Sequence, residues 1–479
     1  MYVAEKRDYD AVVVGAGPNG LSAAIALQQA GLSVLLLEGK NTIGGGMRSE
    51  ALTLPGFIHD ICSAVHPLTV DSPFLKTLPL QQYGLEYAYP EVAAAHPFDN
   101  ASAAALYASV TDTAAQLGKD AAAYLKLMTP LLDDWEELLP VLLAPFNMKR
   151  PLPMARFGWS GLQSATGLAA RCFSTPVMRG LFAGMAAHAM QPLSNATTSA
   201  VAMVLMLTGH HKGWPAPKGG AQQLANALGA YFEALGGKME TGVMVSSLRQ
   251  LPSAHAVLLD VTPQQLLKIA GHSLSAFYRW QLKRYQYGMG IYKMDWAIEG
   301  EVPFTADVCR KAGTVHLGNT MEEVVMAEQL TWEGKHVEAP FVLLSQPGVF
   351  DTSRAPVGKQ SVWGYCHVPA GSAKSMTDAI EKQVERFAPG FRDRILDRHV
   401  FNAVDMEHYN PNYIGGDING GVQCLTQLFT RPALRYSPYR TSVKGLYLCS
   451  SSTPPGGGVH GMCGYYAAQR AMRDIFSRR

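Results

Sequence analysis

Residues 8–38 read DYDAVVVGAGPNGLSAAIALQQAGLSVLLLE, and this stretch decides the fold. Tyr9–Val14 is a short apolar run rich in β-branched residues, which predicts a parallel strand buried on both faces. Three glycines follow this run closely. Their spacing predicts a tight turn at Gly15, a close backbone approach to a pyrophosphate at Gly17, and close packing of a helix on the strand at Gly20.

A helix and a second strand complete this unit. Pro18 lies where a first helical turn tolerates a missing N–H, and Gly31 lies where a helix C-terminus favours a left-handed residue. Residues 33–37 predict a second strand ending at Glu38, an acid about 20 residues beyond the turn, as expected of a group that binds ribose hydroxyls. Together these features predict a dinucleotide site, and a purely structural βαβ unit is the alternative.

Composition indicates a protein with two cores that binds a small molecule. The chain has 479 residues, 48% of them hydrophobic, and a single core stops growing near about 250–300 residues. The net charge is +2 and long basic or acidic runs are absent from the sequence, which argues against a nucleic-acid partner. The sequence is compatible with an oligomer.

The cysteines and the N-terminus indicate a cytoplasmic protein. The seven cysteines are scattered and form no C-x-x-C pair, which predicts reduced thiols and argues against a dithiol redox centre and against a metal site. The first residues, MYVAEKRDYD, enter the predicted strand without an apolar signal region, so export by that route is not expected.

Residues 180–211 contain no Lys, Arg, Asp or Glu. Within them only residues 199–207 form a compact apolar run, which is too short to cross a bilayer core of about 30 Å. One interpretation is a set of buried helices around a large pocket. The other is a surface that lies in the membrane interface, which would give the protein a peripheral membrane contact.

The middle of the chain divides into a helical part and a sheet-containing part. Residues 87–210 are alanine-rich and predict a largely helical segment, whereas residues 285–370 contain alternating aromatic-rich runs that predict antiparallel strands in a mixed sheet. Some of the aromatic residues are candidates for lining an apolar substrate slot, with an ordinary core position as the alternative for each. These candidates are Tyr292, Trp296, Trp363, Tyr365 and Tyr413.

Two further glycine loops resemble the first one in chemistry. Residues 41–48 read NTIGGGMR and residues 450–462 read SSSTPPGGGVHGM. Three consecutive glycines leave backbone amides accessible to a phosphate or a ring edge. The second loop opens into a predicted helix at residues 461–475, whose positive N-terminal end can stabilise negative charge on a bound ring.

With these motifs in place, the chain resembles the phytoene desaturase and carotenoid-oxidoreductase family within the amine-oxidase-like FAD flavoproteins. It is similar above all to the phytoene dehydrogenase-like subgroup, which includes proteins named for a pyridine nucleotide-disulphide oxidoreductase domain. The resemblance covers nearly the whole chain, and its first and last motifs are the most specific. The motifs are VVVGAGPNGLSAAIAL, TIGGGMRSE, PGFIHDICSAVHPL, PKGGAQQLANAL, YKMDWAI, RFAPGFRDRI, NPNYIGGDINGG and LYLCSSSTPPGGGVHGMCGY.

The resemblance implies an α/β fold with a discontinuous, Rossmann-type FAD-binding domain of the glutathione-reductase-like class, formed by residues 1–75, 213–275 and 436–479. It implies an inserted α+β substrate domain formed by residues 76–212 and 276–435. In the FAD site that it implies, the pyrophosphate is contacted by Gly15, Gly17, Pro18, Asn19 and Gly20, and the ribose by Glu38. The pyrophosphate or the flavin is contacted by Gly45, Gly46 and Arg48, and adenine by Val245. The flavin is contacted by Gly457, Gly458, Val459 and Met462.

The chain departs from the family pattern in two places. Only SSLRQLPSAHA joins Val245 to Val257, where relatives usually have a longer β-hairpin, and this puts the edge of the FAD domain in doubt. The disulphide in the subgroup's name has no paired cysteines to support it.

The expected activity is FAD-dependent oxidoreduction at a C–C bond of an apolar substrate, such as a polyene or an isoprenoid. Hydride transfer is carried by the flavin, so a missing nucleophile or triad is no objection. His66 and His460 are the catalytic candidates because imidazole titrates near neutral pH, with a packing role as the alternative for each. Oxygen and a quinone are both compatible as electron acceptor.

Three other functions stay open at this point. A redox-neutral isomerase or saturase would use the same pocket, a flavin-binding interaction protein would keep the fold without turnover, and an amine oxidase ranks below these because the resemblance favours the carotenoid branch.

Overall fold

The structure, a computed structural model, describes residues 7–147, 149–428 and 430–477. Its strands are β1 (Tyr9–Val14), β2 (Val34–Leu37), β3 (Ser49–Glu50), β4 (His59–Asp60), β5 (Tyr87–Ala88), β6 (Val92–Pro97), β7 (Ala103–Leu106), β8 (Ala216–Pro217), β9 (Lys238–Glu240), β10 (Ala254–Leu259), β11 (Gly290–Glu299), β12 (Ala312–Leu317), β13 (Val342–Ser345), β14 (Lys359–Val368), β15 (Ile395–Phe401) and β16 (Leu446–Leu448).

The α-helices are α1 (Pro18–Gln29), α2 (Pro67–Asp71), α3 (Val110–Ala115), α4 (Ala121–Asp133), α5 (Trp135–Leu142), α6 (Pro151–Gly161), α7 (Ala165–Cys172), α8 (Pro176–Ala187), α9 (Thr198–His211), α10 (Gln222–Ala234), α11 (Pro263–Ala270), α12 (Ala276–Leu282), α13 (Asp307–Arg310), α14 (Met321–Trp332), α15 (Thr377–Phe387), α16 (Ala403–Tyr409), α17 (Leu425–Leu428) and α18 (Met462–Ala471).

The first sheet is parallel and has the strand order β16-β10-β1-β2-β9. The last residues of four of its strands, Leu37, Val14, Leu259 and Leu448, are in register. These strands are almost wholly buried, as expected for a parallel sheet covered on both faces. The residues that follow them therefore lie in one row at the carboxyl edge of the sheet.

Helix α1 begins at Pro18 and packs against α10 and α18. The approach of α18 is close, because a Cβ atom at Gly464 would lie only 1.7 Å from the carbonyl oxygen of Asn19. This contact brings the glycine loop before α18 to the loop before α1, although more than 400 residues separate them in sequence.

The second sheet is mixed and has the order β15-β11-β14-β13-β12-β6-β7. Its strands are antiparallel except for the β12 and β6 pair, which is parallel. The α/β fold class, with a Rossmann-type sheet and a separate mixed sheet, is thereby confirmed. The exact domain boundaries stay a prediction.

The prediction of a largely helical segment from residue 87 onward is wrong for its first part. Residues 92–97 and 103–106 form β6 and β7, and the helical interval starts at Val110. Alanine favours helices, but Pro97 ends the run VAAAHP and every residue of β6 is buried between β12 and β7. Pairing in the sheet overrides the intrinsic preference of the alanines.

Most of residues 180–211 are buried and the others are half-buried apart from one, as the first of the two interpretations of this uncharged stretch expects, while a peripheral membrane contact stays a prediction. Ser194 is its one exposed residue, and α8 and α9 pack against each other. Across residues 7–147, 149–428 and 430–477, each helix falls short of the length and apolar content that a membrane span requires.

Candidate active site

Four residues follow strands of the first sheet at its carboxyl edge: Gly15 after β1, Glu38 after β2, Asp260 after β10 and Cys449 after β16. The backbone continues the ladder there, since the Gly15 N–H donates to the carbonyl of Leu37 at 2.7 Å. Ligands of parallel α/β sheets bind at this edge, in the crevice outside the strand ends. The candidate site therefore lies at this edge of the first sheet, beside the turn at Gly15.

Gly20 and Gly45 lie where the neighbouring backbone leaves no space for a side chain. A Cβ atom at Gly20 would lie 1.8 Å from the carbonyl oxygen of Gly15, so a side chain there would force α1 away from β1. A Cβ atom at Gly45 would lie 2.9 Å from Cα of Gly17. The loop at residues 44–48 thus lies directly against the dinucleotide turn.

Glu38 is tied to both loops. One carboxylate oxygen accepts a hydrogen bond from the Ala16 N–H at 2.8 Å, and the other accepts bonds from the Lys40 N–H and from Nη2 of Arg48, both at 2.9 Å. Arg48 also donates to the carbonyl of Thr42. These bonds hold the acid at the cavity and leave it lone-pair capacity for a ribose hydroxyl.

Asp260 is a site residue that the sequence motifs described above do not include. Its Oδ2 atom accepts a hydrogen bond from the Gly20 N–H at 2.9 Å and lies 3.0 Å from where a Cβ of Gly17 would be. Burial and the charge of Glu38 raise its pKa to about 7, against the effect of the Gly20 bond. A carboxyl group therefore contacts the turn expected to hold a pyrophosphate.

The C-terminal glycine loop contributes Gly458 and Val459 to the cavity. Hydrogen bonds hold this loop against the segment after β4, because the Thr69 hydroxyl donates to the carbonyl of Val459 and the Ser72 hydroxyl to the carbonyl of His460. Gly457 and Met462 lie behind this lining, so any contact of theirs with a ligand stays a prediction.

Neither candidate histidine titrates near neutral pH. Burial lowers the pKa of both His66 and His460 to about 4, so each ring is neutral at pH 7. His66 lines the cavity and its Nε2 atom lies 3.1 Å from the hydroxyl oxygen of Ser63. His460 lies outside the lining, where its Nδ1 accepts the Met462 N–H at 3.0 Å.

One continuous cavity joins the two sheets. At one end it is lined by the carboxyl edge of the first sheet and by Val245, whose contact with adenine stays a prediction. At the other end it reaches the face of the second sheet and the end of α8. The residues that line this second end, called the substrate end below, are His188, Met190, Leu205, Leu343, Trp363 and Tyr365.

Of the five aromatic candidates for the pocket, Trp363, Tyr365 and Tyr413 line the cavity. Tyr292 and Trp296 do not, because they lie on the opposite face of β11 and pack under α15. There the Tyr292 hydroxyl lies 2.8 Å from Oγ1 of Thr377, and the Trp296 indole donates to Glu381 at 3.2 Å. Tyr292 and Trp296 share one face of β11, whereas Trp363 and Tyr365 of β14 pair with Asp295 and Lys293, whose side chains lie on its other face.

The residues present fit an FAD molecule. The cavity is lined by buried polar atoms that have no hydrogen-bond partner within the described part of the chain, namely Oδ1 of Asn19, Nδ1 of His66 and Nε1 of Trp363. Buried polar groups are normally paired, so their presence along one cavity indicates a polar ligand. Pro18, Gly46 and Arg48 line the same cavity, and their contacts with the cofactor stay a prediction.

Comparison with known proteins supports the fold. The model of the NAD(P)-binding Rossmann-like domain family matches residues 13–78. Pyridine nucleotide-disulfide oxidoreductase domain-containing protein 2 of Rattus norvegicus is 24% identical to this chain, over 98% of this chain and 94% of its own length. Phytoene desaturase (neurosporene-forming) of Rhodobacter capsulatus is 23% identical over 51% of each chain.

A solved structure shows the same architecture over nearly the full length. Cyclohexylamine oxidase from Brevibacterium oxydans superposes with a TM-score of 0.62, covering 98% of this chain and 99% of that one at 16% sequence identity. At this identity the likeness concerns the fold alone. The chain thus shares its α/β fold with cyclohexylamine oxidase.

Proposed function

We propose that the protein is an FAD-dependent oxidoreductase that exchanges hydride between the flavin and a C–C bond of an uncharged, largely apolar substrate. The observation that carries this proposal is the single cavity running from the dinucleotide turn at Gly15–Gly17 to the aromatic face of the second sheet. Such a path lets a ligand at the first sheet meet a second ligand held between Trp363 and Leu205.

The chemistry of the substrate end favours an uncharged substrate. The residues that line it are His188, Met190, Leu205, Leu343, Trp363 and Tyr365. Five of these side chains are uncharged at neutral pH by their chemistry, and His188 is neutral because burial lowers its pKa to about 3. Moving a charged group into such a place without a partner is strongly unfavourable. The similarity to a phytoene desaturase, although it covers half of the chain, points to the same substrate class.

The residues that would hold FAD are those at the two glycine loops, with Glu38 at the ribose and Val245 at the adenine. FAD supplies a ring that accepts or donates a hydride, so the protein need not provide a nucleophile. The chain's own contribution is binding, orientation and exclusion of water. His66, which is neutral at pH 7, and the buried residues of α8 and α9 would exclude water from the cavity beside them.

Two measurements test this proposal. The purified protein, incubated with FAD and freed of unbound ligand, is expected to keep the flavin absorption. Under anaerobic conditions the bound flavin is then mixed with two panels, uncharged isoprenoids and primary amines such as cyclohexylamine. Bleaching by the isoprenoid panel alone is expected. Bleaching by amines alone would show an amine oxidase, and a protein that takes up no flavin would end the proposal.

A further inference from the structure

The substrate end of the cavity contains a polar position that a pure hydrocarbon would leave unused. His188 follows the last residue of α8 and lines the cavity. Its Nε2 atom lies 3.0 Å from Nε2 of His316 on β12, and its ring contacts Trp214 edge-on at 6.1 Å between centroids. Two buried rings thus hold this imidazole in one orientation.

The hydrogen-bond direction between the two imidazoles can be assigned. Burial lowers the pKa of His188 to about 3 and holds that of His316 well below its usual range, so both rings are neutral and each carries one N–H. Nδ1 of His316 is buried and has no partner within the described residues. Because an orphaned buried N–H is rarer than an orphaned acceptor, we place the proton of His316 on Nε2.

That assignment fixes the tautomer of His188. Its Nε2 accepts the hydrogen bond from His316, so its own proton is on Nδ1. No acceptor for this Nδ1–H occurs among residues 7–147, 149–428 and 430–477, and the ring keeps part of its surface accessible. His188 therefore offers an N–H donor to the cavity.

A second donor belongs to the same end of the cavity. The indole of Trp363 is 4% exposed, and its Nε1–H, which can only donate, lacks an acceptor in the described part of the chain. The carboxylate of Glu328 is paired with His367, whose Nδ1 lies within 2.9 Å of both oxygens, and it makes no hydrogen bond with the Trp363 indole. The N–H groups of His188 and Trp363 thus lack acceptors, and the residues that line the substrate end carry no full charge. A neutral oxygen atom of a ligand would suit this position.

From this arrangement we infer that the substrate carries an uncharged oxygen acceptor, such as a carbonyl group, on its apolar skeleton, and that His188 determines specificity for it. This inference rests on the proposed function, because it describes the substrate of the same cavity. A carboxylate fits less well, because the cation beside the substrate end, the Lys293 ammonium 5.4 Å from the centroid of the Trp363 ring, is already paired with Asp295. His316 is a positioning residue that fixes the tautomer of His188.

The test uses FAD-loaded protein and three probes that share one skeleton: farnesene, farnesal and farnesoic acid. Dissociation constants are measured by isothermal titration calorimetry, which does not depend on turnover. Wild-type protein is expected to bind farnesal at least tenfold more tightly than farnesene, and more tightly than farnesoic acid. Equal binding of farnesal and farnesene, or absent binding of farnesal, would overturn the inference.

Variants separate the donor from the shape of the pocket. His188→Phe is expected to bring the farnesal-to-farnesene ratio within twofold, and His188→Asn, which keeps an N–H donor, is expected to restore part of the preference. His272→Phe, the same exchange at an exposed histidine outside the cavity lining, is the matched control and should keep the full ratio. A His188→Phe protein that keeps the wild-type preference would contradict the inference. Failure of the proposed function gives a different result. In that case the protein takes up no flavin, or the isoprenoid panel does not bleach the bound flavin, independently of the ratio of farnesal to farnesene binding.

Discussion

A Cβ atom on Gly45 would lie 2.9 Å from Cα of Gly17, so the second glycine loop rests on the dinucleotide turn without space for a side chain. Gly45→Ala must therefore displace one loop from the other and distort the surface that receives the pyrophosphate. We expect FAD affinity to fall at least tenfold, measured by fluorescence titration of FAD into the apoprotein.

Gly31→Ala serves as the control for this change. Gly31 also has a positive φ of 78°, but no atom lies within 4 Å of the position that its Cβ would take. It should lose about 1–2 kcal/mol of stability from backbone strain and keep its FAD affinity. Equal FAD affinities of the wild type and Gly45→Ala would mean that the loop contact has no part in the site.

The buried pair of Lys293 and Asp295 predicts a large effect on stability. Both side chains are fully buried, and the Lys293 ammonium donates to both carboxylate oxygens. Asp295→Asn leaves a buried cation without its counter-charge, so we expect the free energy of unfolding to fall by about 3–5 kcal/mol in urea denaturation. Lys293→Met combined with Asp295→Asn should recover most of this loss. A single variant within about 1 kcal/mol of the wild type would contradict the pairing.

Asp260 predicts a pH dependence of apoprotein stability. Its pKa is about 7 in the folded chain, raised mainly by burial, against about 4 when unfolded. Between these values the folded protein holds a proton that the unfolded chain has released, so the free energy of unfolding falls as pH rises from about 4 to about 7.

The variant Asp260→Asn isolates this contribution, because its amide oxygen can still accept the Gly20 N–H bond. The difference in unfolding free energy between the wild type and the variant should change with pH in this window, by at most about 1.4 kcal/mol per pH unit. FAD binding by the wild type should also weaken above pH 7, because the ionised carboxylate repels the pyrophosphate. A difference that is constant from pH 4 to pH 8 would contradict the raised pKa.

His66 is expected to act by hydrogen bonding and not as a titrating acid or base, because burial lowers its pKa to about 4. Loss of a general acid or base costs about 10²–10⁴-fold in rate. We therefore expect His66→Asn to slow flavin reduction by less than about tenfold and to leave the pH profile between 5.5 and 8 unchanged, measured by stopped-flow absorbance. A loss of more than about 100-fold together with a lost ionisation would show acid–base catalysis instead.

Sequence and structure agree best where the signal is local. The turn at Gly15–Gly20 and the acid at Glu38 lie within one βαβ unit, so spacing alone predicts their positions. Asp260 enters the site because β10 pairs with β1, more than 240 residues away, and no local pattern announces that pairing. The local sequence offers one signal for Asp260, an acid that follows the short apolar run at residues 256–259 and precedes Pro263.

The remaining differences also come from tertiary structure. Alternation along β11 separates Tyr292 and Trp296 from Lys293 and Asp295, but only the packing of α15 decides which face is turned away from the cavity. His188 stands at a helix end outside any motif, and it reaches the cavity because α8 packs beside β12. Such placements depend on contacts between distant segments.

The most direct test of the account is the FAD content of the purified chain after incubation with FAD and removal of unbound ligand, measured by absorbance for the wild type and for Gly45→Ala. The account predicts one FAD per chain in the wild type and a much lower content in the variant. A wild-type protein that retains no FAD, or a variant that retains as much, would contradict it.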